Sequence, residues 1–143
     1  HFVVVLRHPE TVAAAVAKWV DRPAPVLIEH WLAAHEAVAR DLDYLHAAMV
    51  VRYENLARDP CKARAALAGF LDSSLPGAGT EPISDRNADY ADADVMTPEQ
   101  ADRAARWGYG AAGAVDRDWH APVRHPLRHV REATARAWRG NRE

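Results

Sequence analysis

The most informative segment for the fold is the first one, His1-Phe2-Val3-Val4-Val5-Leu6-Arg7-His8-Pro9. Its apolar run, Phe2 to Leu6, is rich in β-branched residues, which is typical of a strand covered on both faces of a sheet. Pro9 suits the first turn of a helix, because its missing N–H group costs nothing there. The segment predicts a buried strand that runs directly into a helix. Since an interior strand seldom begins a domain, we also expect that a further portion precedes it.

The rest of the first half continues this alternation. Apolar residues at helical spacing predict helices over about 9–20 and 26–47. Ala48 to Tyr53 predicts a second strand, and Asp59-Pro60 predicts the start of a helix that ends near Leu71. Two strands joined by a long helical crossover predict a parallel pair, and hence a three-layer α/β fold with a parallel sheet and flanking helices. Two strands make a poor sheet, so the fold requires others that this sequence does not obviously contain.

The second half is less regular. Residues 73–96 are rich in Gly, Pro, Ser, Asp and Asn, and predict a long irregular surface loop. Thr97-Pro98-Glu99-Gln100 combines an N-cap, a first-turn proline and a capping-box glutamine, which predicts a helix through about Tyr109. Pro126 predicts the start of a last helix that includes Trp138. We therefore expect one domain over 1–143, with an α/β core segment at 1–72, the loop at 73–96 and a helical segment at 97–143.

Composition excludes several classes of protein. The 143 residues fit one small domain or part of a larger one, and 18 basic against 20 acidic side chains give a formal net charge of −2. This balance argues against a protein that coats nucleic acid or anionic membrane. No apolar run approaches the roughly 20 residues that span a bilayer. Cys61 is the single cysteine, so no internal disulfide or multi-cysteine metal site can form, and the composition predicts a reduced cytoplasmic protein.

Histidines are the other candidate metal ligands. His125 and His129 are four residues apart, a spacing that could share a metal ion, but no HExxH motif or nearby acid cluster accompanies them. We therefore predict no metal site. His35, on the apolar face of the second predicted helix, is predicted to be a core histidine whose hydrogen bonds are satisfied.

Arg7 carries the most informative chemistry. It follows a buried strand and precedes a helix N-terminus, and open α/β sheets bind ligands at that edge. Helix N–H groups and a guanidinium fork favour a phosphate there. The alternative is an arginine that closes the strand by pairing with Glu10 or Glu54, and the residues alone leave both readings open.

Tyr53 lies at the end of the second predicted strand and is expected at the same sheet edge as Arg7. Its ring could cover a purine and its hydroxyl could bond the purine edge. Alternatively, it packs under the loop that follows.

The segments FVVVLRHPETVAAAVAKW and MVVRYENLARDPCKARAALAGFLD, in this order and spacing over residues 2–72, resemble the PAPS-dependent sulfotransferase family. The resemblance implies an α/β fold of the P-loop NTPase type and 3′-phosphoadenosine 5′-phosphosulfate (PAPS) as the sulfuryl donor. A small-molecule or glycan acceptor would receive the sulfuryl group on a hydroxyl or an amine. Arg7 matches the arginine that grips the 3′-phosphate, and Tyr53 matches the tyrosine that approaches the adenine.

The sequence also departs from the family pattern. Ala15 stands where the family has a serine that binds the 3′-phosphate, eight residues after the arginine. No Arg-Lys-Gly loop is evident, and Arg86 and Arg117 are the candidate substitutes. The family's 5′-phosphosulfate loop, its lysine and its usual histidine base all precede the Arg-x-Pro strand. The catalytic groups are therefore expected upstream of His1, and the chain alone is expected to be inactive.

Two other functions fit the same residues. One is a kinase-like, nucleotide-dependent transferase of the same fold. The other is a degenerate family member or a mainly helical interaction module without enzymatic activity, for which Ala15 is the best support. The sequence leaves open the acceptor and the oligomeric state.

Overall fold

A computed structural model describes residues 1–73, 82–90 and 92–140. This part of the chain is mixed α/β, with three strands and six α-helices. The chain divides into two compact units, each built from separate stretches of sequence. Unit 1 consists of His1–Leu6, Tyr44–Asp85 and Ala121–Glu143, and unit 2 of Arg7–Asp43 and Arg86–His120.

Unit 1 contains the sheet, whose strand order is β1-β2-β3. Strand β1 (Phe2–Leu6) pairs with β2 (Ala48–Arg52) in parallel, so the predicted parallel pair is confirmed. All five residues of β2 are buried. The two-residue strand β3 (Val123–Arg124) adds to β2 in the antiparallel direction. The sequence analysis missed β3, because two residues are too short to show any periodicity.

The prediction that β1 is covered on both faces is wrong for the described chain. Phe2, Val3 and Val5 are 56%, 40% and 60% exposed, and only Leu6 is fully buried. The reason is position: β1 is an edge strand, paired with β2 alone. Its apolar run reflects a preference for the strand conformation, whereas burial depends on what packs against each face.

Three helices complete unit 1, namely α3 (Tyr53–Arg58), α4 (Pro60–Leu71) and α6 (Arg128–Arg139). The predicted start of α4 is confirmed, because Asp59 Oδ1 accepts a 3.0 Å hydrogen bond from the Lys62 N–H and Pro60 occupies the first turn. Tyr53 was predicted within the second strand, but it is the first residue of α3. Buried side chains of β2 and α4 form the core: Met49, Val51, Ala66 and Phe70.

Helices α4 and α6 pack closely at Gly69. A Cβ atom at this position would lie only 3.2 Å from the backbone nitrogen of Thr134. Thr134 is fully buried, and its hydroxyl donates to the Val130 carbonyl at 2.8 Å. Glycine is therefore required for the spacing of the two helices rather than for a special backbone angle.

Unit 2 contains α1 (Pro9–Val16), α2 (Ala24–Asp41), α5 (Pro98–Ala105) and a 3-10 helix at Asn87–Tyr90. The predicted capping box is confirmed: the Gln100 N–H donates to Thr97 Oγ1 at 3.2 Å, and the Thr97 N–H donates to Gln100 Oε1 at 3.1 Å. The buried apolar side chains of unit 2 include Ile28, Trp31, Leu32, Trp107 and Tyr109.

The helices of unit 2 are shorter than predicted. Helix α1 ends four residues early, α2 spans 24–41 instead of 26–47, and α5 ends at Ala105. Gly108 adopts a φ of +73°, which breaks the helical path before Tyr109.

The predicted irregular loop at 73–96 falls partly outside the described residues, which omit 74–81 and 91. Its described part is irregular apart from the 3-10 helix. Among the described helices, none is long and apolar enough to cross a membrane.

Candidate functional site

Strands β1 and β2 end at the same edge of the sheet, because Leu6 pairs with Arg52 in the parallel register. Arg7 is the next residue after Leu6, as the sequence analysis expected, and it is half-buried. Its Nε donates a 2.8 Å hydrogen bond to Asn87 Oδ1, and its Cζ lies 5.6 Å from the centre of the Tyr90 ring. The guanidinium is thus oriented by the 3-10 helix.

Lys18 is a second cation at the same ring. Its Nζ lies 4.5 Å from the centre of the Tyr90 ring, and the side chain is otherwise exposed. Lys18 and Tyr90 were not among the predicted site residues, because Tyr90 lies in the segment predicted to be irregular. The positions of Lys18 and Tyr90 in the sequence do not indicate that either residue lies near Arg7.

His8 occupies the junction between Arg7 and α1 and is fully buried. Its Nδ1 accepts a 3.3 Å hydrogen bond from the Glu10 N–H and so caps α1. Because Nδ1 is an acceptor, the proton lies on Nε2, which donates to the Gly110 carbonyl at 3.0 Å. Both ring nitrogens therefore serve the fold.

Glu10, in the first turn of α1, has an equally structural position. Its Oε1 accepts from the N–H groups of Met96 at 2.7 Å and Ala112 at 3.1 Å, and its Oε2 accepts from that of Gly113 at 2.8 Å. Ala112 and Gly113 both have positive φ, +56° and +73°. Successive N–H groups in such a turn form a concave anion-binding nest, and here the anion is the protein's own carboxylate.

A cavity of about 330 Å³ adjoins these residues within unit 2. It is bounded by the first turn of α1, the 3-10 helix and the turn at 112–113. The polar side chains that line it are His8, Glu10, Thr11, Asn87 and Tyr90. The volume is near the lower limit for small-molecule sites. The cavity therefore shares Asn87 and Tyr90 with the surroundings of Arg7.

Tyr53 is half-buried, and its hydroxyl donates a 2.6 Å hydrogen bond to the Ser84 carbonyl. The hydroxyl is thus engaged with the following segment, as the alternative reading expected, while contact of the ring with a purine stays a prediction. Arg52, just before it, is fully buried and donates from Nη2 to Asn55 Oδ1 at 3.3 Å. The same Asn55 oxygen accepts from Arg58 at 3.3 Å.

The two candidate substitute arginines are exposed. Arg86 pairs with Asp89 on the 3-10 helix, with 3.0 Å between Nε and Oδ2. Arg117 lies in the turn where the Asp118 N–H donates to Asp116 Oδ1 at 2.9 Å. Binding of a phosphate by Arg86 or Arg117 stays a prediction.

The two histidines singled out in the sequence, His125 and His129, contact different groups. His125 Nε2 lies 3.1 Å from His1 Nε2, and its Nδ1 accepts from the Leu127 N–H. His129 Nε2 instead faces Asp72 Oδ2 at 3.7 Å. Over residues 1–73, 82–90 and 92–140, no group of three or more potential ligands could hold a metal ion.

His35 has the surroundings expected of a core histidine. Its ring stacks on Trp31 with 3.8 Å between centroids, and its Nδ1 donates to the Trp31 carbonyl at 2.7 Å. Partial burial lowers the pKa of His35, an effect that this hydrogen bond opposes. The charged form of the ring is therefore disfavoured in the folded protein.

No family model matches the chain, and no curated protein or solved structure matches it.

Proposed function

We propose that this chain supplies the 3′-phosphoadenosine end of the donor site in a PAPS-dependent sulfotransferase. The observation that supports the proposal is the parallel register of β1 and β2, which aligns Leu6 with Arg52. Arg7 and Tyr53, the next residues after these two, are the residues that match the family's 3′-phosphate and adenine contacts. Ligands of open α/β sheets bind at the edge where parallel strands end.

In this function, Arg7 binds the 3′-phosphate. Its Nε is held by Asn87, and a guanidinium offers further donors in a planar fork that suits phosphate oxygens. The half-buried position strengthens such an interaction relative to a fully exposed pair. The Tyr53 ring would cover the adenine while its hydroxyl stays bonded to Ser84.

The reaction itself requires groups that the family resemblance places before the Arg-x-Pro strand. The acceptor oxygen or nitrogen attacks the sulfur of PAPS, and the bond between sulfur and the bridging phosphate oxygen breaks. The acceptor proton passes to a general base, and adenosine 3′,5′-bisphosphate leaves. In this proposal, the chain contributes binding and orientation to that reaction.

The proposed fold is the three-layer sulfotransferase fold of the P-loop NTPase type. The parallel β1–β2 pair is the part of this fold that the chain carries.

The test is calorimetric titration of the intact protein with adenosine 3′,5′-bisphosphate and with ATP. We expect tighter binding of the bisphosphate, and an approximately 10- to 100-fold loss of its affinity in Arg7→Ala, because a charge-assisted bond to phosphate is lost. Arg40→Ala, at an exposed arginine of α2, is the matched control and should bind normally.

Each other outcome favours a different function. Unchanged affinity in Arg7→Ala would remove Arg7 from the site. A preference for ATP with no response to the 3′-phosphate would favour the kinase-like transferase. Failure to bind either nucleotide would favour the non-enzymatic module.

A further inference from the structure

We infer that Lys18 is a second cation of the 3′-phosphate site and binds the same phosphate as Arg7. This inference rests on the proposed function, and it assigns a ligand contact that the family resemblance does not supply. The ligand class is a phosphate monoester on the ribose of an adenine nucleotide.

Tyr90 connects the two cations. The Arg7 Cζ and the Lys18 Nζ lie 5.6 Å and 4.5 Å from the centre of its ring. Asn87, one turn earlier in the same 3-10 helix, accepts from Arg7 Nε at 2.8 Å. Residues of one short helix therefore contact both positive groups within unit 2.

Two cations that contact the same ring favour an anion beside them. A phosphate that carries up to two negative charges is attracted by both positive groups, and it can accept hydrogen bonds from a guanidinium and from an ammonium. Lys18 is exposed and has a flexible stem, so its ammonium can move from the ring to a bound phosphate at little cost.

The position of Lys18 is also consistent with the presence of Ala15 where the family has a serine. The backbone continues in a helical turn beyond α1, because Ala17 is in the right-handed α conformation and the Trp19 N–H donates to the Val16 carbonyl at 2.9 Å. Residues three apart on such a backbone share one face. The long cationic side chain of Lys18 can thus reach the region that a serine hydroxyl at position 15 would contact. It supplies a hydrogen-bond donor there, which Ala15 lacks.

The first test compares Lys18→Gln with Lys62→Gln in the intact protein. Lys62 is the chain's other lysine and pairs with Asp59 at 3.6 Å in unit 1, so it is a matched control. We expect Lys18→Gln to bind adenosine 3′,5′-bisphosphate about 5- to 20-fold more weakly, the scale of one charge-assisted contact. Affinity for adenosine 5′-phosphate should change far less, and Lys62→Gln should change neither affinity.

A second readout does not depend on a variant. Saturating adenosine 3′,5′-bisphosphate should protect Lys18 from an amine-acetylating reagent, measured by peptide mass spectrometry, and should leave Lys62 reactive. Normal binding of the bisphosphate by Lys18→Gln, together with no protection of Lys18, would overturn this inference and leave the proposed function intact. Wild-type protein that binds adenosine 5′-phosphate and the bisphosphate equally would overturn both.

Discussion

The Glu10 carboxylate accepts a 2.8 Å hydrogen bond from the backbone N–H of Gly113, a residue 103 positions further along the chain. Two further N–H groups, of Met96 and Ala112, donate to the same side chain. A buried carboxylate that accepts several backbone N–H groups joins segments that local sequence cannot connect. Glu10 therefore orders the turn that bounds the cavity in unit 2.

Glu10→Gln should destabilise the protein although the two side chains have nearly the same shape. An amide presents an NH₂ group at one of the two positions where the carboxylate accepts hydrogen bonds, so at least one of the three backbone N–H groups loses its acceptor. We expect the free energy of unfolding in urea to fall by about 1–3 kcal/mol. Glu132→Gln, which removes an exposed pair with Arg128, should change it by less than about 0.5 kcal/mol. Equal effects of the two changes would contradict the role assigned to Glu10.

Gly69→Ala should also destabilise the protein, against the trend for helices. Alanine favours an isolated helix over glycine by about 1 kcal/mol. Here, however, the new Cβ would lie 3.2 Å from the Thr134 nitrogen and 3.3 Å from the Ala133 carbonyl carbon, and these backbone atoms cannot move alone. We expect a net loss of about 1–2 kcal/mol in the free energy of unfolding, because α4 and α6 must separate. A higher melting temperature for this variant would contradict the close packing.

Local signals in the sequence predicted much of the secondary structure. The caps at Asp59 and Thr97 gave correct helix starts, because a cap depends on residues within one turn. The parallel pairing of β1 and β2 followed from the crossover between them. The burial of β1 was predicted wrongly and β3 was missed, since both depend on residues far apart in the chain.

The surroundings of Arg7 were less predictable than its position. Its place at the end of β1 follows from the apolar run and Pro9. Asn87 and Tyr90, which contact it, come from a segment whose composition indicates only an irregular loop. The three donors to Glu10 are backbone groups, which leave no signature in side-chain chemistry. Contacts of this kind become visible only once the chain is folded.

The stability of the protein should depend on pH through His35. Burial lowers the pKa of the folded-state imidazole below its ordinary value of 6.5, so the unfolded chain binds the proton more readily. The contribution of the neutral His35 ring to the free energy of unfolding is complete above pH 6.5. It is lost as the pH falls through 6.5 toward the lowered pKa. Urea unfolding at pH 8 and pH 5 should therefore show a larger loss for wild type than for His35→Gln. His30→Gln, at an exposed histidine of the same helix, should behave as wild type.

Arg103 should control the ionisation of Glu36. Its Nε and Nη1 donate 2.6 Å hydrogen bonds to Glu36 and Glu29, which joins α5 to α2. The hydrogen bond from Arg103 lowers the pKa of Glu36 below its ordinary value of 4.5. The pair of Arg103 with Glu36 therefore stabilises the folded protein above pH 4.5, and this stabilisation is lost as the pH falls through the lowered pKa. In Arg103→Gln, NMR titration should place the Glu36 pKa close to 4.5, and a value as low as in wild type would refute the pairing.

Ala15→Ser should strengthen nucleotide binding if Arg7 serves the 3′-phosphate as proposed. Ala15 is half-buried on α1, where the resemblance places a serine that donates to this phosphate. A new hydroxyl donor to a charged group should increase the affinity for adenosine 3′,5′-bisphosphate by about 3- to 10-fold in calorimetric titration. Affinity for adenosine 5′-phosphate, which lacks the 3′-phosphate, should stay the same. Ala14→Ser, one position away on the same helix and also half-buried, is the matched control. Equal gains from both serines would mean that the effect is not directed at the 3′-phosphate, and no gain from Ala15→Ser would show that position 15 does not reach it.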